Sequence, residues 1–271
     1  MPEGDSVHRV AARLHAALAA QRLTRSDLRV PRLATVDLAG RTVTGVTARG
    51  KHILLRLEGG LTLHSHLRMD GAWHLYRAGE RWRGGPEWQV RAVLATDAWT
   101  AVGYRLPVLE LFPTSEESER VGHLGPDPLG EDWDAGEALR RLTADPERSL
   151  SEALLDQRVI AGIGNVWRCE ICFLRGVHPD APVRALKDPA ALVASVRRMF
   201  EANRHVGGHV TTGDPRPGQS HYVYGRAGLP CRRCGTAIQR RALTPGEDGE
   251  RVTYWCPHCQ ATGDEGRRTK D

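Results

Sequence analysis

Residues 157–167 read Gln157-Arg-Val-Ile-Ala-Gly-Ile-Gly-Asn165-Val-Trp167, and this stretch joins two predicted helices through a glycine-rich turn. Ser149-Leu-Ser-Glu152 fits a capping box at the start of the first helix. Small residues allow a close backbone approach, and the amides at a helix N-terminus favour a phosphate. Asn165 could contact the same phosphate. The alternative interpretation is an ordinary helix–turn–helix corner packed by Ile160 and Ile163.

The sequence on either side of this turn is also helical. Three further patterns at helical spacing cover residues 133–142, 166–174 and 189–203. An acidic stretch precedes them: residues 114–147 carry 3 basic and 10 acidic side chains, a balance of 3 − 10 = −7. We interpret this stretch as a linker into a second domain.

The N-terminal part has a different pattern. Residues 5–20 are predicted to form an amphipathic helix with Asp5 as its N-cap. Short apolar runs separated by glycines then predict an antiparallel β-sandwich or barrel. The strand-like runs include Val30, Val43–Val46, Ile53–Leu57, Leu61–Leu63, Trp73–Leu75, Val90–Val93 and Val108–Phe112.

Four cysteines near the C-terminus form two C-x-x-C pairs, Cys231/Cys234 and Cys256/Cys259. Two such pairs are typical of a structural, tetrahedral zinc site that leaves no open coordination position. Between the pairs, Thr236–Arg240 and Arg251–Trp255 predict a β-hairpin with a turn at residues 245–249. We therefore predict one structural zinc ion on a β-hairpin.

The other possible metal ligands are less convincing. Cys169 and Cys172 lie inside a predicted helix, where buried thiols are a better interpretation than half of a second metal site. His64 and His66 are two residues apart on a predicted strand. A metal site there has little support, because no third ligand is suitably spaced in the sequence.

The chain has 38 Lys plus Arg against 33 Asp plus Glu, a net charge of +5, and only three lysines: Lys51, Lys187 and Lys270. Basic segments on either side of the acidic stretch suggest a polyanionic partner, although a mixed surface fits the total equally well. Lys51 follows a turn glycine at the start of an apolar strand. It could therefore have a chemical role, or it could form a salt bridge at the strand edge.

Pro2 follows the initiator methionine. If Met1 is removed, Pro2 has a secondary amine whose pKa is about 8 or below, so it can attack an electrophilic carbon near neutral pH. Glu3 lies beside it and could transfer a proton. By itself, a Met-Pro start is more often without chemical meaning.

Taken together, these features resemble the Fpg/Nei family of DNA glycosylases, and most closely its actinobacterial endonuclease VIII type. The resemblance spans almost the whole chain in an ordered set of motifs. They are Met1-Pro-Glu-Gly4, Arg49-Gly-Lys-His52, His64-Ser-His-Leu-Arg-Met-Asp-Gly71, His123-Leu-Gly-Pro-Asp127, Ala153–Val166, Tyr224-Gly-Arg-Ala-Gly228 and the cysteine finger with Arg251-Val-Thr-Tyr-Trp-Cys256.

The resemblance implies a bifunctional glycosylase and apurinic/apyrimidinic (AP) lyase of base-excision repair. Pro2 would attack the deoxyribose C1′ and form an imine, with Glu3 assisting ring opening. Lys51 would donate a proton in β-elimination, and Arg251 would act in δ-elimination. The predicted DNA contacts are Met69, as a wedge that fills the vacated base position, together with His123 and Asn165.

Departures from the family pattern bear on the lesion. The Arg-x-Phe wedge of purine-specific relatives has no clear equivalent in residues 104–112, and the loop over residues 211–221 is short. Both features favour oxidised pyrimidines over oxidised guanine. A glutamate that many relatives carry soon after Glu3 is Ser6 here, which puts any role of that carboxylate in doubt.

Two alternatives remain at this stage. One is an oxidised-purine glycosylase of the same family, and the other is a non-catalytic zinc-ribbon protein that binds abasic or structured DNA. The fold expected is α+β: an N-terminal antiparallel β-sandwich with a leading helix, a helix–two-turn–helix domain and a zinc-finger β-hairpin.

The corresponding boundaries are 1–122, 123–221 and 222–262, with a tail at 263–271. We expect damaged double-stranded DNA as the partner and a monomeric protein. No apolar run is long enough to cross a membrane, and the acidic start is unlike a signal peptide. We therefore expect a cytoplasmic, nucleoid-associated protein.

Overall fold

A computed structural model describes residues 2–242 and 252–261 of the chain. The chain divides into two compact units, residues 1–123 and 124–271, which are described separately below. Met1, Arg251, the predicted turn at residues 245–249 and the tail fall outside the described residues. The finer division into domains stays a prediction. Within the described ranges, no helix is long and apolar enough to span a lipid bilayer.

The first unit begins with helix α1, Gly4–Leu18, close to the predicted span. The predicted N-cap, Asp5, is wrong: the cap is Glu3, and Asp5 is buried in the first turn, 3.1 Å from Arg9. The reason is Ser6, whose hydroxyl accepts a 2.8 Å hydrogen bond from the Glu3 N–H and donates one of 2.8 Å to the Glu3 carbonyl. This exchange fixes the start of the helix two residues earlier than predicted.

Eight strands follow α1 and form two four-stranded antiparallel sheets. The sheet orders are β1-β6-β7-β5 and β2-β3-β4-β8. The strands are β1 Arg25–Leu28, β2 Val43–Arg49, β3 His52–Leu57, β4 Leu61–His66, β5 Ala72–Arg77, β6 Val90–Ala95, β7 Trp99–Tyr104 and β8 Val108–Pro113.

One hydrophobic core joins α1 to both sheets, which confirms the predicted sandwich with a leading helix. Ile53, Leu55 and Leu57 alternate along β3 and point into this core, together with Val7 of α1 and Leu94 of β6. The residues between them on β3 therefore lie on the outer face of their sheet. His52 lies on this outer face, and the strand register places His66 directly opposite it.

Two predictions for this unit need correction. Val30 is not part of a strand but lies just before a short 3₁₀ turn, Pro31–Leu33. The acidic stretch is not wholly a linker, since its start forms helix α2, Glu117–Val121, within the first unit. Glu117 is anchored there because it accepts hydrogen bonds of 2.7–2.8 Å from Arg56 and 2.6 Å from Thr62.

The second unit is helical up to its finger. Its helices are α3 Ala135–Leu142, α4 Leu150–Leu155, α5 Asn165–Arg175 and α6 Pro189–Asn203. Trp167, Ile163 and Phe200 are completely buried in their shared core. The predicted capping box at Ser149 does not form, because the Ser149 hydroxyl instead donates to the Pro179 carbonyl at 3.3 Å.

The finger contains strands β9, Gln239–Ala242, and β10, Val252–Trp255, which pair antiparallel. This confirms the predicted hairpin, although β9 starts three residues later than expected. Thr236 instead supplies a carbonyl that accepts the Cys231 N–H at 2.8 Å, and so belongs to the first cysteine loop.

Candidate active site and zinc finger

The four cysteines of the finger converge. Their sulfur atoms all lie within 4.8 Å of one another, with Sγ–Sγ distances of 4.0 Å for Cys231–Cys259 and 3.5 Å for Cys234–Cys256. A tetrahedral zinc ion with Zn–S bonds of about 2.3 Å places its sulfurs about 3.8 Å apart. The donor set therefore fits zinc, and four thiolates leave no position for a catalytic water.

Cys169 and Cys172 do not join this cluster. Both are fully buried in α5, and burial raises the pKa of each thiol. Cys169 packs against the finger and Cys172 against the helical core. They are buried helix thiols, as predicted.

Pro2 and Glu3 lie at the N-terminus of α1. Pro2 is half-buried and precedes the helix, whereas Glu3 is completely buried. The positive end of a helix dipole favours a carboxylate and disfavours a protonated amine. Pro2 and Glu3 both lie at this positive end of α1.

Lys51 lies in the tight turn between β2 and β3, next to Gly50, which has a φ of 56°. The register pairs Arg49 with His52 across this turn. The sequence prediction of a turn glycine followed by an apolar strand is correct. Lys51 is half-buried in the turn that joins these two strands.

The outer face of the same sheet carries a histidine cluster that was not predicted from the sequence. His52 Nδ1 lies 2.8 Å from His64 Nε2, and His64 Nδ1 lies 3.3 Å from a carboxylate oxygen of Glu110. His66 contacts His52 edge-on, with ring centroids 4.8 Å apart. The alternation of side chains along each strand indicates which histidines share a face. The register that brings the two strands together, however, cannot be read from one sequence.

In the described part of the chain, these histidines do not converge on one point as a set of metal ligands would. Within residues 2–242 and 252–261, the four finger cysteines are the only group of three or more potential ligands that converge on one point. Burial lowers the pKa of His64 despite its contact with Glu110, so the ring is neutral near pH 7.

Met69 lies in the turn after β4 and is 49% exposed. The turn is tight: Arg68 has a φ of 45°, and a Cβ on Gly71 would lie 2.6 Å from the Leu67 carbonyl oxygen. This exposure leaves the Met69 side chain available for a contact, but single exposed apolar side chains are common on protein surfaces. His123 is also exposed, at the end of the first unit.

Asn165 begins α5 and is only 4% exposed. Its amide nitrogen donates to the Val252 carbonyl at 3.0 Å, and its oxygen accepts from Arg168 at 2.5 Å. Arg168, itself completely buried, also donates to Ser151 at 2.5 Å and to Thr253 at 2.9 Å. The glycine turn is thus tied to β10 of the finger, by contacts between residues too distant in the sequence to be predicted.

Glu170 makes a second connection between α5 and the finger. Its carboxylate is fully buried and accepts the backbone N–H groups of residues 222, 223 and 224, each at 2.8 Å. It also accepts from the hydroxyl of Thr211. One helix therefore fixes both the chain entering the finger and the loop over residues 211–221.

Comparison with known proteins accounts for this arrangement. Sequence models match in order along the chain: the formamidopyrimidine-DNA glycosylase N-terminal domain at residues 1–105, the H2TH domain of that enzyme at 124–212, and the zinc finger found in FPG and IleRS at 228–262. A probable endonuclease 8 2 of Streptomyces coelicolor is 58% identical over 264 residues, covering 96% of this chain and 94% of the relative.

The chain belongs to the Fpg/Nei family of DNA glycosylases and AP lyases. A second relative, the DNA-(apurinic or apyrimidinic site) lyase Nei2 of Mycolicibacterium smegmatis, is 50% identical over 96% of this chain and 99% of its own length. The resemblance drawn from the sequence is confirmed. The finger of this Fpg/Nei protein holds one structural zinc ion.

Solved structures agree on the fold. Fpg of Lactococcus lactis in complex with abasic-site DNA superimposes with a TM-score of 0.79 at 24% identity, covering 96% of this chain and all of that one. The same protein with DNA containing an oxidised pyrimidine gives a TM-score of 0.80 at 25% identity. The predicted α+β architecture is that of the Fpg/Nei fold.

Proposed function

We propose that this Fpg/Nei protein excises oxidised bases, preferentially pyrimidines, from damaged double-stranded DNA and then cleaves the strand by β,δ-elimination. The main support for the proposal is the position of the first two described residues, Pro2 and Glu3. Pro2 lies just outside α1, and the Glu3 carboxyl group is buried beside it.

In the first step, the Pro2 nitrogen attacks C1′ of the damaged nucleotide and the base leaves. Glu3 assists the opening of the sugar ring by proton transfer, and the product is an iminium ion joining Pro2 to C1′. The positive charge of this imine acts as an electron sink. Loss of a proton from C2′ then expels the 3′ phosphate.

Lys51 is proposed as the proton donor of β-elimination. A lysine suits this role better than an arginine, because an ammonium can exchange its proton whereas a guanidinium stays protonated. Arg251 is proposed for δ-elimination and phosphate contact, and it precedes Val252, whose carbonyl binds Asn165. Asn165 and His123 are proposed DNA contacts.

The preference for pyrimidines is supported by two short connections. Only three residues, 105–107, separate β7 from β8; none of them is aromatic, and Leu106 is buried. This leaves no exposed aromatic wedge in that turn. The loop over residues 211–221 is closed by a 2.8 Å hydrogen bond from Thr211 N–H to the Ser220 carbonyl, so it is compact. Met69 is proposed as the wedge that enters the vacated stack.

Borohydride reduction on DNA containing an abasic site tests the mechanism. We expect a covalent adduct at the Pro2 nitrogen after Met1 is removed, and loss of adduct and strand cleavage in Pro2→Gly. Strand cleavage that survives in Pro2→Gly would refute the mechanism. It would favour the non-catalytic alternative only if wild-type protein also bound DNA without cleaving it.

Lesion preference requires a separate comparison. Duplexes containing thymine glycol and oxidised guanine, each at the same position, distinguish the two enzymatic alternatives. We expect faster excision of thymine glycol. A faster reaction on oxidised guanine would assign the enzyme to the oxidised-purine class instead.

We also infer a monomer that acts in the cytoplasm, associated with the nucleoid. Asn165, at the start of α5, and the four-cysteine finger provide one binding site for one lesion. A second copy of the chain is therefore not required. Sedimentation of the protein with a one-lesion duplex should give a 1:1 complex.

A further inference from the structure

A row of basic side chains crosses the sheet formed by β2, β3, β4 and β8. Arg49 lies opposite His52 and His52 lies opposite His66 in the antiparallel register. Residues directly opposite one another point to the same face of a sheet. Lys51, in the turn that joins β2 to β3, adds a further positive charge at this end. Such a row suits an anionic ligand.

His52 in this row is connected to an acid. His64 lies opposite Glu110 in the pairing of β4 with β8, and His52 is the diagonal neighbour of His64 on β3. The His52 and His64 rings stack with centroids 5.1 Å apart and planes 20° apart. The three side chains thus form a continuous polar chain across three strands.

The carboxylate determines the direction of the hydrogen bonds. Because ionised Glu110 can only accept, His64 donates through Nδ1 and its Nε2 is left as an acceptor. His52 therefore donates through Nδ1 to His64 and carries a lone pair on Nε2. Within the described part of the chain, that Nε2 has no hydrogen-bond partner. A lone pair repels an anion, so the row cannot use His52 as a donor in this state.

We propose that Glu110, His64 and His52 form a proton-linked anion site, in which a DNA phosphodiester bound at His52 Nε2 draws one proton into the chain. The ligand class rests on the proposed function; the hydrogen-bond chain does not. Glu110 and His64 act here as positioning residues, and His52 makes the contact.

The proton comes from solvent, and only N–H and O–H bonds change. It can be added directly to His52 Nε2, which then donates to the phosphate oxygen. It can also enter at Glu110, after which both rings exchange tautomers and His52 again donates through Nε2. Glu110 is 42% exposed and lines a pocket of about 230 Å³, whereas His64 is only 6% exposed. Either route adds one proton.

In the free protein, His52 is able to accept this proton. Burial, followed by the neighbouring basic side chains, three histidines and Lys51, lowers the pKa of His52 to about 3, so the ring is neutral before DNA arrives. A phosphodiester raises that pKa, and the complex then holds more protons than the free protein. DNA affinity must therefore fall as pH rises. The titratable and charged groups around His52 are Arg49, Lys51, His64, His66, Glu110, Arg120 and His123.

Calorimetry can measure this proton directly. A duplex with an abasic-site analogue that cannot be cleaved is titrated into the full-length protein near pH 6, in two buffers of different ionisation enthalpy. We expect wild-type protein to take up about one proton more than His52→Gln, whose amide donates without being protonated. Wild-type affinity should fall by up to about tenfold per pH unit, and the fall should be shallower in His52→Gln.

A second variant tests the positioning role. Glu110→Gln removes the fixed acceptor, so His64 and His52 can reverse their tautomers without gaining a proton. We expect proton uptake to fall as in His52→Gln, with affinity retained. His74→Gln is the matched control: His74 is also a histidine whose burial lowers its pKa, but it packs against Tyr76 and Tyr104 on the other sheet. It should leave uptake unchanged.

Inorganic phosphate in place of DNA identifies the form of the ligand. Linked uptake with both probes assigns the site to phosphate in general, and uptake with DNA alone assigns it to a phosphodiester presented by the duplex. Equal proton uptake by wild type, His52→Gln and Glu110→Gln would overturn the proposal. Because the probe is not cleaved, this failure is distinct from a missing borohydride adduct, which would overturn the catalytic function.

Discussion

In the N-terminal unit, Lys51 and Met69 lie in turns between strands, while in the C-terminal unit Asn165 is buried and bonded at both ends of its amide. The first unit thus presents these two side chains from turns at the ends of strands. The second unit instead connects its predicted phosphate contact to the finger through Arg168. We infer that changes in the first unit alter chemistry with little loss of stability, whereas changes in the second disturb folding and binding together.

The largest effect should come from the finger. In Cys256→Ala the zinc site loses a ligand, and structural zinc contributes on the order of 10 kcal/mol of apparent binding free energy. We expect loss of the ion and of lesion binding, measured by metal analysis and DNA titration. Cys172→Ala is the matched control, because this buried thiol lies outside the four-cysteine cluster. Loss of zinc from the control would show that metal content reports general unfolding.

Many structural features of the two units could be predicted from the sequence. The cysteine spacing, the α6 limits and most strands are local patterns, and local chemistry determines them. The Glu3 cap was missed because Ser6 was considered only as a missing carboxylate, not as a hydrogen-bond partner. The Arg168 network and the histidine chain were missed because they join residues that are distant in the sequence. Their contacts depend on strand register and on how α5 packs against β10.

The next largest effect should be chemical. Lys51→Arg keeps the charge but removes the exchangeable proton, so strand cleavage at a preformed abasic site should slow by about 10²–10⁴-fold. Borohydride trapping and thermal stability should change little. Lys187→Arg, an exposed lysine of the other unit, is the control. If trapping fell as steeply as cleavage in Lys51→Arg, the lysine would act before the imine and not in elimination.

In the second unit, replacement of a buried arginine should mainly affect stability. Arg168→Met fits the buried volume but leaves the Asn165 oxygen without its donor, together with the hydroxyls of Ser151 and Thr253. We expect a loss of about 2–4 kcal/mol in the free energy of unfolding, with weaker DNA binding. Arg204→Met, at the exposed end of α6, should stay within about 0.5 kcal/mol. Equal stability of both variants would contradict the proposed coupling of turn and finger.

The smallest effect should come from Met69. Here a change in the first unit should alter DNA binding without any change in stability. Met69→Ala removes apolar surface that is exposed in the free protein, so the free energy of unfolding should not change. If the side chain enters the stack, truncation should weaken binding to lesion DNA by about 1 kcal/mol, or about fivefold. Binding to undamaged duplex should be unaffected. Leu229→Ala, a 51% exposed leucine of the second unit, provides the control. An equal loss on damaged and undamaged DNA would assign Met69 to general contact, since a wedge acts only where a base has left the stack.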